Sequence, residues 1–244
     1  MIQKITLFFL MLGALAMNVS SAANLLIWPT NLHLENKEKS AALWIENRGQ
    51  TVQVLQARVY LWHHKDGKDE LVPQSNFMVS PPMAKVAPGK KQLFRIVNRA
   101  GVPANTMHHY RVLVDEVPQK ANVNQELEDE LHQGVQFQFR YSIPLFVYGQ
   151  GLSNNARQKL SVNELVSKLS WNVVKENGKT ILKMKNNSPY YMNVSSLTPE
   201  KDLDSDIGGY LLPNSSREWD VPNTIQETLY GRINNESEKV LIKP

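Results

Sequence analysis

The sequence predicts an all-β protein built from two sandwich domains. Short runs of alternating apolar and polar residues begin near residue 25, and clusters of Gly, Pro, Asn and Asp separate them. A Gly- and Asn-rich segment at 149–155 is the best candidate for a linker. A chain of 244 residues is long enough for two domains of ordinary size. We therefore predict domains at 24–150 and 151–244.

Seven runs with strand character occupy the first half of the chain, and seven strands are typical of a β-sandwich. They cover residues 25–34, 41–47, 52–62, 71–80, 92–98, 109–117 and 135–148. Asp66-Gly67 lies between the third and fourth runs and supplies the positive φ angles that a tight hairpin turn prefers. This half is predicted to form one all-β domain.

Shorter runs fill the second half of the chain. They cover residues 171–175, 180–185, 190–197, 209–212, 216–221, 228–233 and 240–243. Asn177-Gly178 is a second hairpin signal. Segment 162–169 fits a strand and a short helix equally well. The second domain is therefore predicted to be β as well.

The N-terminus has the pattern of a secretory signal. Lys4 precedes an apolar stretch at 5–17, and the small residues Ser20-Ser21-Ala22-Ala23 follow. We expect residues 1–23 to be a signal peptide that is removed after Ala22 or Ala23. A retained membrane anchor is the alternative, and it is disfavoured because the apolar stretch is short.

Composition and motifs argue against an enzyme. The chain has no Cys, so thiolate nucleophiles, Cys-ligated zinc and iron–sulfur clusters are excluded. None of the common nucleotide-binding, serine-hydrolase or metalloprotease motifs is present. The net charge of +4 is scattered along the chain, so nucleic acid is not a predicted partner. We predict no cofactor and no small-molecule substrate.

Two histidine pairs, His63-His64 and His108-His109, are the most obvious candidates for metal ligands. Both pairs lie in predicted strands, where adjacent side chains point to opposite faces of the sheet. Neither pair can therefore chelate one ion, and no metal site is predicted.

The last run of the first domain, 135–148, is longer than an ordinary strand. Val135, Phe137, Phe139, Tyr141 and Ile143 share one face by alternation. The second half of the run fits a core strand. In the first half, large apolar side chains lie beside a polar loop with nothing assigned to cover them. Such an edge is suited to pairing with a strand of another chain.

The sequence resembles the PapD-like periplasmic chaperones of chaperone–usher pilus assembly. The resemblance rests on Ser80-Pro81-Pro82, Asp115-Glu116-Val117-Pro118, Ile143-Pro144-Leu145-Phe146 and Asn187-Ser188-Pro189-Tyr190-Tyr191-Met192. Two further segments are similar to the archaic branch of the family, which includes the Csu pilus system. These are Tyr110-Arg111-Val112-Leu113-Val114-Asp115-Glu116 and Arg140-Tyr141-Ser142-Ile143-Pro144-Leu145-Phe146.

The resemblance implies two immunoglobulin-like sandwiches arranged as an L and a chaperone that works in the periplasm. Its partners would be pilus subunits and the outer-membrane usher. In donor-strand complementation the chaperone lends a strand to an incomplete subunit, and here the donor side chains fall on Val135, Phe137, Phe139 and Tyr141. The two exposed Phe residues also predict self-association of the free chaperone.

The resemblance further implies a basic site for the carboxylate at the subunit's C-terminus. The well-studied branch uses two basic residues there, but the matching positions in this chain are Asn31 and Pro144. Arg111 is expected to point to the same outward face as Arg140 and Pro144. We hypothesise that Arg111, together with Arg140, binds the carboxylate, since a guanidinium pairs bidentately with one.

The sequence also fits alternative roles for two of these features. In place of binding the subunit's carboxylate, Arg111 could form a surface ion pair with Asp115 or Glu116. Pro81 and Pro82 would either contact the usher or simply end a strand in a turn.

Two other functions fit parts of the sequence. The chain would be a pilus subunit or adhesin if the alternating strand were terminal rather than internal. A sugar-binding sandwich would use Trp28, Trp44 and Trp62 as stacking platforms, although aromatic residues at strand positions are more commonly core.

Overall fold

The computed structural model describes residues 25–118, 138–234 and 236–244. Strands dominate the described part of the chain, and they form two β-sandwiches in succession. The strands of the first sandwich are β1 (Leu25–Trp28), β2 (Leu32–Leu34), β3 (Ser40–Asn47), β4 (Gln53–Lys65), β5 (Lys68–Pro73), β6 (Phe77–Ser80), β7 (Met83–Val86), β8 (Lys91–Asn98), β9 (Met107–Glu116) and β10 (Arg140–Tyr148).

Two sheets enclose the core of the first sandwich. One has the strand order β1-β3-β8-β6, and the other has the order β2-β10-β9-β4-β5, with β7 also paired to β4. The neighbours are antiparallel except for β2 and β10, which run parallel. Alternate residues of each strand face inward as predicted. Leu43, Phe94, Val112 and Leu145 from both sheets are fully buried in this core.

Two of the predicted runs are each two strands, so their prediction as single strands was wrong. Segment 25–34 divides at Pro29, where β1 ends and the chain passes from one sheet to the other. Proline has no N–H for a sheet ladder, which favours this break. Segment 71–80 divides after Pro73 for a similar reason, because β5 and β6 belong to opposite sheets. Strand β7 was not predicted.

The second sandwich also has two sheets. Its strands are β11 (Leu169–Glu176), β12 (Lys179–Asn186), β13 (Met192–Thr198), β14 (Gly209–Leu211), β15 (Ser216–Val221), β16 (Tyr230–Ile233) and β17 (Val240–Leu241). The sheet orders are β11-β12-β15 and β14-β13-β16-β17. Trp171, Leu182, Val194 and Leu211 are among the buried residues of its core.

Two short helices connect the sandwiches, α1 (Asn154–Gln158) and α2 (Val162–Val166). Ser153 caps α1 by accepting a hydrogen bond from the Ala156 N–H. Ser161 and Glu164 form a capping box at the start of α2. The ambiguous segment 162–169 is thus a helix followed by the first residue of β11.

Both predicted hairpin turns are present. Asp66 and Gly67 have φ angles of 50° and 72°, and Asn177 and Gly178 have 50° and 76°. Gly67 also lies against the second sandwich, since its carbonyl accepts a hydrogen bond from the Glu218 N–H at 2.8 Å. A Cβ atom at position 67 would lie 2.2 Å from the Glu218 side chain.

Trp28, Trp44 and Trp62 differ from the expected core positions. Trp28 and Trp44 stack on each other on the outer face of the first sandwich, with ring centroids 6.3 Å apart, and Trp44 is 36% exposed. Lys91 lies over the Trp28 ring. Trp62 is fully buried, but it packs between the two sandwiches rather than inside one of them.

Candidate functional site

One edge of β10 is only partly covered by another strand. Strand β2 pairs with Leu145, Phe146 and Val147, while β9 pairs with β10 along its whole length. From Arg140 to Pro144, no strand in the described ranges lies on the side opposite β9. We call this stretch the open edge.

The main-chain groups that face the open edge follow from the pairing with β9. Glu116 N–H donates to the Phe139 carbonyl, and the two residues are opposite each other in the extended register. Alternate residues of an antiparallel strand direct their N–H and C=O to opposite sides. Arg140 and Ser142 therefore present both groups to the open edge, and Pro144 presents only its carbonyl.

The apolar side chains beside the open edge become more exposed toward its start. Ile143 is buried in the first core, and Tyr141 is half-buried against it. Phe139 is 45% exposed, and its ring lies 6.4 Å from that of Tyr141. Of the predicted donor residues, Val135 and Phe137 lie outside the described residues.

Arg111 is held by aromatic rings near the join between the sandwiches. Its guanidinium carbon lies 3.8 Å from the Trp62 ring centroid and 5.3 Å from that of Tyr210. Nη1 also donates to the Ser142 carbonyl at 3.4 Å. Burial lowers the pKa of Arg111, but an arginine remains charged in this environment. No carboxylate lies within 4 Å of its guanidinium in the described residues, although the charge of Asp69 acts on it from further away.

Asp115 pairs with two arginines other than Arg111. Its carboxylate pairs with Arg58 at 2.5 Å and with Arg140. Burial alone would raise the pKa of Asp115, but the hydrogen bonds from Arg140 and Arg58 outweigh it and lower the pKa. The alternative ion pair of Arg111 with Asp115 or Glu116 is not formed in the described part of the chain.

Arg140 and Arg111 lie on the same face but not side by side. Pro144 is opposite Arg111 in the ladder, and Arg140 is opposite Asp115. Four residues separate the two pairs, which is about 13 Å along a strand. The outward orientation of Arg111 agrees with the sequence prediction, since its neighbours Tyr110 and Val112 are buried on the core face.

An aromatic stack joins the sandwiches next to Arg111. Phe146 of the first sandwich and Tyr191 of the second lie parallel, with centroids 3.5 Å apart and an interplanar angle of 6°. Trp62, Tyr210 and His33 pack around this pair, with ring centroids 5.8 to 6.4 Å from those of Phe146 or Tyr191. All of these residues except His33 and Tyr210 are buried. Sequence analysis identified Tyr191 within a motif but did not predict its role.

A polar cluster fastens the β4–β5 hairpin to β15. Asp69 accepts a hydrogen bond from the Trp62 indole at 2.7 Å and pairs with Arg217 at 3.0 Å. His64 lies 3.0 Å from the Ser215 hydroxyl. Burial alone would raise the pKa of Asp69, but the hydrogen bonds from His64 and Trp62 and the charge of Arg217 lower it. Arg217 of the second sandwich thereby helps to position Asp69, which accepts the hydrogen bond from the indole on which Arg111 rests.

The proline pair Pro81-Pro82 forms an exposed crossover between β6 in one sheet and β7 in the other. The Pro82 carbonyl accepts a hydrogen bond from the Ala57 N–H at 2.9 Å. Part of the pair is therefore tied to the sheet, while both rings remain accessible.

No helix within the described ranges is long and apolar enough to cross a membrane. Comparison with protein families gives two matches that lie one after the other. Residues 24–153 match the N-terminal domain of PapD, described as a pili and flagellar-assembly chaperone, and residues 164–235 match the C-terminal domain of the pili assembly chaperone PapD. The chain belongs to the PapD-like pilus-assembly chaperones. This family consists of chaperones of the chaperone–usher pathway and not of enzymes.

Individual relatives agree with this assignment. The Bordetella pertussis chaperone protein FimB/FhaD is 30% identical over 195 residues, which cover 77% of this chain and 71% of the relative. The probable fimbrial chaperone YadV of Escherichia coli is 26% identical over 75% of this chain and 70% of its own.

Solved structures extend the comparison to nearly the whole chain. The crystal structure of the CsuC–CsuE chaperone–tip subunit complex from the archaic Csu pili of Acinetobacter baumannii matches with 32% identity and a TM-score of 0.71. The match covers 90% of this chain and 97% of the other. The Escherichia coli chaperone DraB has the same fold at 21% identity, with a TM-score of 0.62 and coverage of 90% and 98%. The predicted family, its resemblance to the Csu branch and the fold class are confirmed.

Proposed function

We propose that this PapD-like chaperone works in the periplasm, binds pilus subunits by donor-strand complementation and delivers them to the outer-membrane usher. The open edge of β10 is the observation that carries the proposal. It offers two residues with both main-chain groups unpaired by a strand, and it lies beside the exposed Phe139. Main-chain hydrogen bonds of this kind give affinity, and alternate side chains give specificity.

The donor strand would comprise Val135, Phe137, Phe139 and Tyr141, which share one face by alternation. Burial of Val135, Phe137 and Phe139 at about 1.5–3 kcal/mol each would outweigh one charged hydrogen bond to the subunit's carboxylate, which contributes about 1.5–3 kcal/mol. Strand pairing would therefore supply most of the affinity. Without a subunit, the same face would promote self-association.

Arg111 would bind the carboxylate at the subunit's C-terminus. Its guanidinium forms no ion pair among the described residues, and the Trp62 and Tyr210 rings hold it on the face that also carries Pro144. Arg140, about 13 Å further along and paired with Asp115, would contact the subunit at the other end of the open edge. The Arg111 contact would then fix the register of pairing.

The remaining features of the proposal concern location and delivery. Pilus chaperones of this family are periplasmic, and the signal-like residues 1–23 support export of this chain. The subunit-binding domain would extend over 24–150 and the second domain over 151–244. The exposed Pro81 and Pro82 would contribute to contact with the usher.

Co-expression with a secreted pilus subunit tests the donor edge through Ser142. Ser142→Pro removes the N–H that faces the open edge and leaves the hydrogen bonds to β9 intact, so recovery of the complex should fall sharply. Ser142→Ala is the matched control, because it loses the same hydroxyl but keeps the N–H. Equal recovery with both variants, each verified as folded by circular dichroism, would refute the proposal.

Arg111→Ala tests the carboxylate contact separately. We expect a folded protein that captures the subunit poorly or in a shifted register, which hydrogen exchange of the bound strand would reveal. Arg48→Ala, an exposed arginine paired with Glu46, serves as the control. Normal recovery and an unchanged exchange pattern would overturn the role of Arg111 but not that of the open edge.

A further inference from the structure

The outer face of the β1-β3-β8-β6 sheet is apolar where the solvated side of an antiparallel sheet is ordinarily polar. Alternate residues of these strands point away from the core, and the strand register aligns them in rows across the sheet. The outward apolar residues include Leu26, Trp28, Trp44, Met78, Leu93 and Val97. We call this surface the Trp face.

The middle of the Trp face is a row of three apolar side chains. Trp28, Trp44 and Leu93 are partners in adjacent ladders, and the two indole rings stack with centroids 6.3 Å apart and an interplanar angle of 11°. Cross-strand stacking of this kind stabilises a sheet. It does not explain why Leu26 and Met78, in other rows of the same face, are 37% and 47% exposed. Exposed apolar residues grouped on one surface indicate a contact with a partner or a membrane.

Cations flank the Trp row on both sides. Lys91 lies one row before it and Arg95 one row after it, about 13 Å apart along β8. The Lys91 Nζ atom is 5.4 Å from the Trp28 ring centroid and 3.8 Å from a carboxylate oxygen of Glu46. Glu46 also pairs with Arg48 at 3.4 Å, so two cations share its single charge. Arg95 is exposed and forms no ion pair within the described residues.

The sign of this surface is therefore positive. Glu46 is the only acidic residue in the four strands, all of which the structure describes. Lys91 and Arg95 lie on the strands, and Arg48 follows the end of β3. An apolar row with cations on each side and one compensated acid fits a partner that is both amphipathic and anionic.

The polar groups of the Trp face distinguish between possible partners. A small polar ligand such as a sugar needs several placed polar groups in a concave site. The outward positions of these four strands carry no amide side chain, and their one acid is already paired. A second copy that docked through the same face would bring two positive surfaces together. A lipid surface has neither difficulty, because indole rings favour the membrane interface and Lys and Arg are attracted to anionic head groups.

We propose that the Trp face docks the chaperone on the surface of an anionic lipid bilayer. Trp28 and Trp44 would enter the head-group layer, and the long side chains of Lys91 and Arg95 would reach phosphate groups on either side. Two cations and a few apolar side chains give a weak and reversible association. The open edge of β10 belongs to the other sheet, so a docked chaperone would keep it accessible. The inference does not depend on subunit capture.

Co-sedimentation with lipid vesicles tests the charge of the contact. The exported protein is used after its N-terminus has been verified, so that the apolar stretch at 5–17 does not contribute. We expect saturable binding to vesicles of phosphatidylcholine with phosphatidylglycerol, much weaker binding to phosphatidylcholine alone, and a decrease with added salt. Arg95→Gln should weaken binding about fivefold, as expected for one cation at an anionic surface.

Lys175→Gln is the matched control, because Lys175 is an exposed strand lysine of the second sandwich. It should have much less effect than Arg95→Gln. Absence of binding, equal binding to neutral and anionic vesicles, or equal effects of the two substitutions would overturn the proposal.

The apolar part of the contact is tested through Trp44. Trp44→Ser should weaken vesicle binding about tenfold or more, since a large apolar side chain is lost from the interface. Leu241→Ser, at a residue of the second sandwich that is 45% exposed, should leave binding unchanged. Circular dichroism verifies that each variant is folded.

A more conservative variant covers the case in which Trp44→Ser does not fold. Trp44→Phe keeps an aromatic ring on the face, so binding should persist while quenching of tryptophan fluorescence by brominated phosphatidylcholine falls. Trp219→Phe on the second sandwich should leave this quenching unchanged. Quenching that is unaffected by Trp44→Phe would overturn the proposal. So would a dimer in sedimentation velocity that Trp44→Ser dissociates without any change in vesicle binding, because this result would assign the Trp face to a second copy.

Discussion

The parallel contact between Phe146 and Tyr191 should couple the stability of the two sandwiches. Substituting either residue with Leu keeps a large apolar side chain at the interface but removes the ring contact. Both residues are at most 5% exposed, so solvent does not replace the lost partner. We predict that the effects of Phe146→Leu and Tyr191→Leu on the free energy of unfolding are not additive.

The expected size follows from the contacts. An aromatic pair contributes about 0.5–1.5 kcal/mol beyond its buried area, and this is the predicted coupling energy between the two substitutions. Tyr191→Leu also removes the ring beneath the Arg157 guanidinium, which adds about 0.5–2 kcal/mol. Tyr191→Leu should therefore destabilise the protein by about 1–3.5 kcal/mol, which is more than Phe146→Leu.

Urea unfolding of the parent, the two single variants and the double variant measures the coupling. Calorimetry on the same samples tests whether the sandwiches still unfold together, since loss of cooperativity would invalidate a single free energy. Phe94→Leu provides the control, because Phe94 is buried in the first core away from Tyr191. The effects of Phe94→Leu and Tyr191→Leu on the free energy of unfolding should be additive within about 0.5 kcal/mol. A Phe146–Tyr191 coupling energy no larger than the control value would refute the reasoning.

Two further predictions concern pH and a buried amide. Burial lowers the pKa values of His33 and His109 to about 4, so the unfolded chain binds protons near pH 6.5 that the folded protein does not. The free energy of unfolding should therefore fall between about pH 6.5 and 4, and His109→Gln should reduce this slope; urea midpoints that do not change with pH would contradict the explanation. Asn47 is fully buried and makes three side-chain hydrogen bonds, so Asn47→Ala should cost about 3 kcal/mol in urea unfolding. The exposed Asn187→Ala should change it by less than about 0.5 kcal/mol.

The sequence was most informative where local geometry determines the structure. Alternation correctly assigned the buried face of β9 and therefore the outward direction of Arg111. The Asp66-Gly67 and Asn177-Gly178 pairs correctly marked hairpins. The helical choice for 162–166 was also available, because Ser161 and Glu164 have the spacing of a capping box.

Features that depend on contacts between distant segments were not predictable. The open edge exists because β2 begins only at Leu32, opposite Leu145, and so covers only part of β10; no local pattern gives the extent of that pairing. Trp62 has the alternation of a core residue, yet its ring belongs to the contact between the sandwiches. Arg157 gave no sequence signal, since a single arginine near a linker is ordinarily solvated. The break at Pro29 was the exception, because a proline inside a run already argues against one continuous strand.

The position of Pro144 has a consequence for any visiting strand that pairs with β10. Beyond this residue, the side of β10 facing away from β9 is occupied by β2, and Pro144 itself has no hydrogen on nitrogen to donate. Strand pairing that begins at Arg140 must therefore stop at Pro144, whatever the length of the partner strand. Pro144 would thus set the same end point of pairing for every partner strand.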